Sequence, residues 1–340
     1  MPQAKPSQPS LSNRAIAAAL APIVPLSFGH AGFAARSRLF ADPGLDIDLR
    51  GQVHVVTGAT SGIGEATAVG LLRRGADVVV LARPGGKAEA FAARVAATTA
   101  RPDGPPLGRV TVEFCDLADL EQSVAAARRV VARHPRLNGL ALNAGLLAPG
   151  RTLTAQGHET SFAVHVVVAS RLIAEFRAPL TATSGRIALV TSGGMLLERV
   201  DPNDLGWSTR PWNGTRAYAQ AKRVQVLLTE RWAALLDASG VRVDAMHPGW
   251  AATPGVERSL PRFAAALGHS LRSAEQGADT LLWLLATQEA RGPSGGLFFD
   301  RARVGSEILP WTRSGATTRA RVWRQVAEWA GHDDGGVVLR

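Results

Sequence analysis

Residues 53–64, VHVVTGATSGIG, constrain the fold more than any other stretch of the chain. A β-branched apolar run passes directly into three glycines, Gly58, Gly62 and Gly64, and then into a helical pattern from Glu65. Glycines placed there let the backbone turn sharply, let a phosphate approach the main chain, and leave the first amides of the next helix free to meet it. Gly58, Ser61, Gly62, Ile63 and Gly64 are the residues that would face such a group. Glycines also punctuate ordinary turns; these gain weight from their place after the first strand of a βα unit. Their spacing is G-x-x-x-G-x-G rather than G-x-G-x-x-G.

The same alternation continues along the chain. Strands are predicted at 53–57, 77–82, 110–114, 139–142, 187–191, 241–246 and 297–299, and helices near 62–74, 87–99, 119–133, 157–178, 215–238 and 274–289. Most of the strands are short apolar runs without polar alternation, as expected where helices cover both faces of a sheet. The fold class is therefore α/β: a single Rossmann-like, doubly wound parallel sheet of about seven strands with helices on both faces. Residues 45–315 form that domain. Residues 1–44 read as a partly disordered N-terminal arm with a helix at about 14–21, and 316–340 as a tail whose helix sets Val322, Val326 and Trp329 on one side. The breaks at 101–108 and 201–214 read as loops within the domain.

Composition excludes several functions. The 340 residues carry a formal net charge of +10, but the basic residues are scattered singly or in pairs, such as Arg73-Arg74, and none interleave with aromatics as a nucleic-acid platform requires. No nucleic-acid partner is expected. One cysteine, Cys115, rules out an intrachain disulfide framework and a Cys-cluster metal site. Residues 15–28 are mostly apolar and faintly resemble a signal-peptide core, but Pro22 and Pro25 interrupt them and they are too short to span a bilayer. The expectation is a cytoplasmic protein without a transmembrane segment.

Two further features carry chemistry. The second strand ends at Ala82-Arg83, where an NAD-preferring site usually holds a carboxylate for the ribose hydroxyls. Arg83 can instead pair with a 2′-phosphate, which favours NADP(H) over NAD(H). A solvated arginine is the bland alternative. The second feature is scarcity: the chain has one tyrosine, Tyr218, and only three lysines, yet Tyr218 and Lys222 stand four residues apart on one helix. A free phenol titrates near 10 and is a sluggish acid or base at neutral pH, and a neighbouring ammonium is expected to lower that value.

Residues 57–64, Asn143-Ala144-Gly145, Ser192 and Tyr218-x-x-x-Lys222 resemble, in order and context, the short-chain dehydrogenase/reductase family. The resemblance spans roughly residues 26–310. It implies that Ser192 hydrogen-bonds the substrate oxygen, that Tyr218 passes a proton to or from it, and that Lys222 tunes Tyr218 and holds the nicotinamide ribose. Asn143, Ala144 and Gly145 would line the cofactor, Asp116 and Leu117 would hold the adenine, and Pro248, Gly249 and Thr253 would receive the carboxamide. Asp116 at a helix entry, Asn143–Gly145 as a turn and Thr253 as an N-cap are the plain alternatives. Where members of the family usually carry a water-holding Asn, this chain has His165, either a relay in its place or a satisfied interior residue.

The 25 residues between Ser192 and Tyr218, with the loop after Pro248, bring Trp207, Trp212 and Trp250 to the substrate side. They either wall a site for an apolar carbonyl/alcohol pair or pack beneath a long loop. Residues 255–272 are expected to form a mobile lid. The resemblance also implies a homodimer or homotetramer through the helices near 157–178 and 215–238, which the arm and tail could block or replace. The resulting expectation is an NADP(H)-dependent carbonyl reductase or alcohol dehydrogenase with no metal; the alternative is an NADP(H)-binding sensor with little or no turnover.

Overall fold

The computed structural model describes residues 27–40, 45–99, 108–287 and 292–333. A short helix α1 (His30–Ser37) comes first, followed by β1 (Val53–Thr57), α2 (Gly62–Leu72), β2 (Asp77–Ala82), α3 (Gly86–Thr99), β3 (Val110–Phe114), α4 (Leu120–Arg133) and β4 (Gly139–Leu142). Helix α5 runs through three consecutive pieces: Thr160–Phe162, a π-helical stretch Ala163–Val167, and Val168–Thr181. Then come β5 (Arg186–Val190), α6 (Gly214–Leu236), β6 (Arg242–Met246), the short helices α7 (Pro254–Ser259) and α8 (Pro261–Leu267), α9 (Ala274–Ala286), β7 (Leu297–Phe299), β8 (Ala302–Val304) and α10 (Ala316–Ala330).

The strands form one sheet in the order β3-β2-β1-β4-β5-β6-β7-β8. Neighbours pair in parallel except β7 and β8, which are antiparallel. The chain winds outward from β1 to β3 and returns to place β4 on the other side of β1. This reversal opens a crevice at the carboxyl ends of β1 and β4, where open α/β sheets bind ligands.

The apolar runs are explained by the two cores. Adjacent residues Val55 and Val56 are both fully buried, one in the core under α4, α5 and α6 and the other in the core under α2 and α9. Each such side chain stabilises the fold by about 1.5–3 kcal/mol relative to exposure. A strand buried on both faces has no polar side to show, so it does not alternate.

The structure adds an eighth strand to the seven expected. Strand β8 is three residues long and exposed at every position, so it left no apolar signal. Helix α5 continues to Thr181 with Pro179 inside it, beyond the end expected at 178. The expected helix at 14–21, most of the break at 101–108 and the last two residues of the helix expected at 274–289 lie outside the described residues. Helix α10 lays Val322, Val326 and Ala330 against α5 and α6, and Trp323 meets Trp232 edge-on at 5.3 Å. No helix among the described residues is long and apolar enough to cross a membrane.

Candidate active site

The glycine turn is held from below by the end of β4. Thr57 Oγ1 accepts hydrogen bonds from the Asn143 and Ala144 amides, both at 3.0 Å, and the Asn143 side chain donates to the carbonyls of Thr57 and Gly58 at 3.0 and 3.1 Å. Two glycines are sterically required. Gly58 has φ +68° and a Cβ there would lie 2.8 Å from Ala144 Cα; a Cβ on Gly64 would lie 2.2 Å from the Gly58 carbonyl oxygen. Ser61 stands at the N-cap of α2 without capping it by its side chain, so the first amides of that helix stay available. Exposed Arg83 lies at the end of β2 and makes no ion pair among the described residues. A glycine cradle, uncapped helix amides and a free guanidinium fit the pyrophosphate and 2′-phosphate of a dinucleotide.

At the next turn along the sheet, Asp116 Oδ1 accepts from the Ala118 amide at 2.9 Å, and Leu117 packs against the core. Asp119, three residues on, caps α4 through the amides of Glu121 and Gln122. Thr253 caps α7 through Val256, yet its methyl group also lies against the glycine turn, 3.1 Å from where a Cβ on Gly62 would be. The 57–64, 143–145 and 253 segments therefore meet.

Ser192 follows β5 and opens a 3-10 turn (Gly193–Leu196), while α6, capped by Asn213, carries Tyr218 and Lys222 one turn apart. Thr191 Oγ1 donates to the Lys222 carbonyl at 2.8 Å, which ties the strand end to the helix. Lys222 is 2% exposed; its Nζ donates to the Val190 carbonyl at 2.8 Å and lies 5.5 Å from the Tyr218 ring centre.

Burial pushes the Tyr218 hydroxyl up to about 12, with Ser192 pulling the other way, and brings Lys222 down to about 7. The lowering of the phenol expected from a neighbouring ammonium is therefore not what sets its pKa: desolvation dominates, and the opposing pull comes from Ser192. Near neutral pH, Tyr218 is a protonated phenol.

His165 is fully buried in the π-helical stretch. Its Nε2 accepts from the Leu146 amide at 3.1 Å, so the neutral ring carries its proton on Nδ1, 3.4 Å from Ser161 Oγ. Burial first, and then the Lys222 charge, hold it well below its usual pKa. Its carbonyl accepts from Gln225 Nε2 at 2.8 Å, and its ring meets Tyr218 edge-on at 5.2 Å. These bonds favour the satisfied-interior reading over a relay. Gly145 is what lets the ring come so close, since a Cβ there would lie 2.8 Å from His165 Nε2 and 3.7 Å from Lys222 Nζ.

On the substrate side the three tryptophans separate. Trp207 is 3% exposed, with Arg210 stacked 3.9 Å over its ring, and so packs beneath the loop rather than walling a site. Trp212 and Trp250 are half-buried, and Trp250 packs against Phe263 of α8 at 5.1 Å. Sequence reasoning did not find Gln225, nor the Phe28 and Arg272 contacts to the 247–250 turn. Gln225 had a readable signal, as a polar residue on the buried face of a long helix.

Residues 52–262 match the family model described as short chain dehydrogenase. The chain is 36% identical over 279 residues to the human protein named dehydrogenase/reductase SDR family member 12, covering 82% of this chain and 85% of that one. It is 30% identical to a Streptomyces sp. (strain C5) protein named for daunorubicin C-13 ketoreductase, covering 83% and 94%. Among solved structures, a protein from Mycobacterium paratuberculosis superposes with a TM-score of 0.65 at 25% identity, covering 85% and 97%.

Proposed function

From the premise that this chain belongs to the short-chain dehydrogenase/reductase family, we propose that it reduces an apolar carbonyl compound to its alcohol with NADPH. It is an oxidoreductase acting on CH–OH groups with NAD(P); the cofactor form, direction and substrate class are the proposal. One observation carries it: Lys222 is bonded to the strand end that leads into Ser192, with Tyr218 beside it, at the sheet end that also bears the glycine cradle. Residues 45–315 are taken as the working domain, flanked by an arm and a helical tail, and the cytoplasm as its setting.

Bound NADPH would supply the hydride. The chain's own residues do the rest. Gly58, Ser61, Gly62, Ile63 and Gly64 hold the pyrophosphate, Arg83 the 2′-phosphate, Asp116 and Leu117 the adenine, and Asn143, Ala144 and Gly145 the ribose side. Pro248, Gly249 and Thr253 receive the carboxamide. Ser192 orients the carbonyl oxygen by donating a hydrogen bond. Tyr218, protonated at neutral pH, gives its proton to that oxygen as negative charge develops. Lys222 supports Tyr218 and the ribose from beneath, and His165 keeps the Gly145–Leu146 turn in place. A protonated phenol suits reduction better than oxidation, which needs a base. Trp212, Trp250 and Phe263 make the substrate side apolar, with residues 255–270 as the lid, which stops short of buried Arg272, and the likeness to a protein named as a ketoreductase supports a ketone.

A paired NADPH/NADH screen over aldehydes and ketones of graded apolar size tests the reading, run on wild type and Arg83→Ala. NADPH preference is expected, with the NADPH KM rising about ten- to a hundredfold in the variant, the worth of one charge-assisted pair, and the NADH KM unchanged. Equal use of both cofactors by wild type would sink the 2′-phosphate assignment. Tight NADPH binding without turnover on any compound would favour the sensor alternative.

A further inference from the structure

The segment before the domain reaches the site. The matched family region begins at residue 52, yet Phe28 lies among residues that surround the candidate chemistry. Its ring packs on His247 at 4.8 Å, Phe299 at 5.2 Å and Trp250 at 5.6 Å. The same ring lies against Gly193, the residue after Ser192, so closely that a Cβ there would sit 2.8 Å from it. Its carbonyl accepts from the Trp250 amide at 2.9 Å and from Arg272 Nε at 2.8 Å. One residue thus touches both the turn after β5 and the turn after β6.

The contact is fastened by a buried charge cluster. Asp300 accepts from Arg272 at 2.6 and 3.0 Å and from Arg36 of α1 at 2.6 Å, with Asp300 and Arg272 side chains each 1% exposed. Arg36 also holds the Ser27 carbonyl, and Arg272 donates to the Pro248 carbonyl at 3.2 Å. Asp300 reaches this position from the β7–β8 hairpin, where it and Arg301 both take left-handed backbone, φ +48° and +60°. Non-glycine residues hold that conformation where the surroundings over-determine it. On the far side His30 hydrogen-bonds Gln276 in the capping box of α9.

We propose that residues 27–37 are a built-in part of the active site, with Phe28 a positioning residue that sets the Ser192-Gly193 turn against the 247–250 turn and the Arg36–Asp300–Arg272 cluster as its anchor. This rests on the reading of Ser192 and the 248–253 segment given above. Loss of a side chain that only added stability would lower the melting temperature and leave kinetics alone. Loss of one that positions two site loops changes kcat and cofactor affinity, because misplacement of reacting groups by about 1 Å costs up to a hundredfold in rate.

The full-length Phe28→Ala, Phe28→Leu and Val326→Ala variants are compared for kcat, carbonyl KM, NADPH Kd by fluorescence titration and melting temperature. Val326, buried in α10 and not among the site residues named above, is the structural control. Phe28→Ala is expected to lose about tenfold or more in kcat and to bind NADPH several-fold more weakly, with Phe28→Leu intermediate and Val326→Ala changed in melting temperature alone. If Phe28→Ala does not fold, Phe28→Leu, which keeps most of the buried volume, is read the same way. Wild-type kcat and NADPH Kd in whichever Phe28 variant folds would overturn the proposal. Absence of turnover in wild type would refute the reductase reading alone, since the NADPH titration still decides the role of Phe28.

Discussion

Two of the buried cations in this fold, Arg272 and Lys222, have different surroundings. Arg272 is paired with Asp300 at 2.6 and 3.0 Å and also donates to carbonyls of Phe28, Gly29 and Pro248. Lys222, equally buried, has no carboxylate beside it and bonds only the Val190 carbonyl among the described residues. Burial penalises both charges, but only the first is neutralised in place. A fully paired buried cation holds parts together. An unpaired one is kept against its burial penalty, and Lys222 is kept so beside Tyr218, where a reaction can use it.

The contrast can be broken at either end. The largest expected effect is at the paired site: Asp300→Ala leaves two guanidinium groups without their carboxylate and should lower unfolding free energy by about 3–5 kcal/mol. Urea denaturation measures it, and a loss under about 1 kcal/mol would mean the cluster is not an anchor. At the unpaired site the sign reverses. Lys222→Met should abolish turnover yet raise the melting temperature of the cofactor-free protein at pH 7 by a few degrees, on the order of 1 kcal/mol.

The pH dependence gives the smallest but sharpest test. The folded value for Lys222, about 7, lies below the ordinary lysine value of 10.5. Between them the unfolded chain binds the extra proton, so this residue's contribution to stability grows as pH rises through that window and is lost as pH falls through about 7. The difference in melting temperature between wild type and Lys222→Met should therefore shrink from pH 7 to pH 9. A constant difference would show that Lys222 is not a strained cation.

Much of this was legible in the sequence because it rests on local rules. The strand, three glycines and helix of 53–64 are contiguous, and the Tyr218–Lys222 pair needs only helical spacing. The exposed β8 escaped because three solvent-facing residues leave no pattern. The Arg272–Asp300–Arg36 cluster escaped because its members are far apart in sequence and look like any other surface charges of an arginine-rich chain. Trp207 stays ambiguous in sequence because a tryptophan in a long loop reads alike whether it lines a pocket or packs under Arg210; its burial decides for packing. The direction of the Tyr218 shift turned on burial, which spacing alone does not reveal.

The most direct measurement is the Tyr218→Phe variant assayed beside wild type for NADPH-dependent carbonyl reduction and for NADPH binding. Loss of the hydroxyl should reduce kcat by at least about a hundredfold, the low end of general acid catalysis, while NADPH Kd stays within about twofold. Turnover within tenfold of wild type would contradict the assignment of Tyr218 as the proton donor.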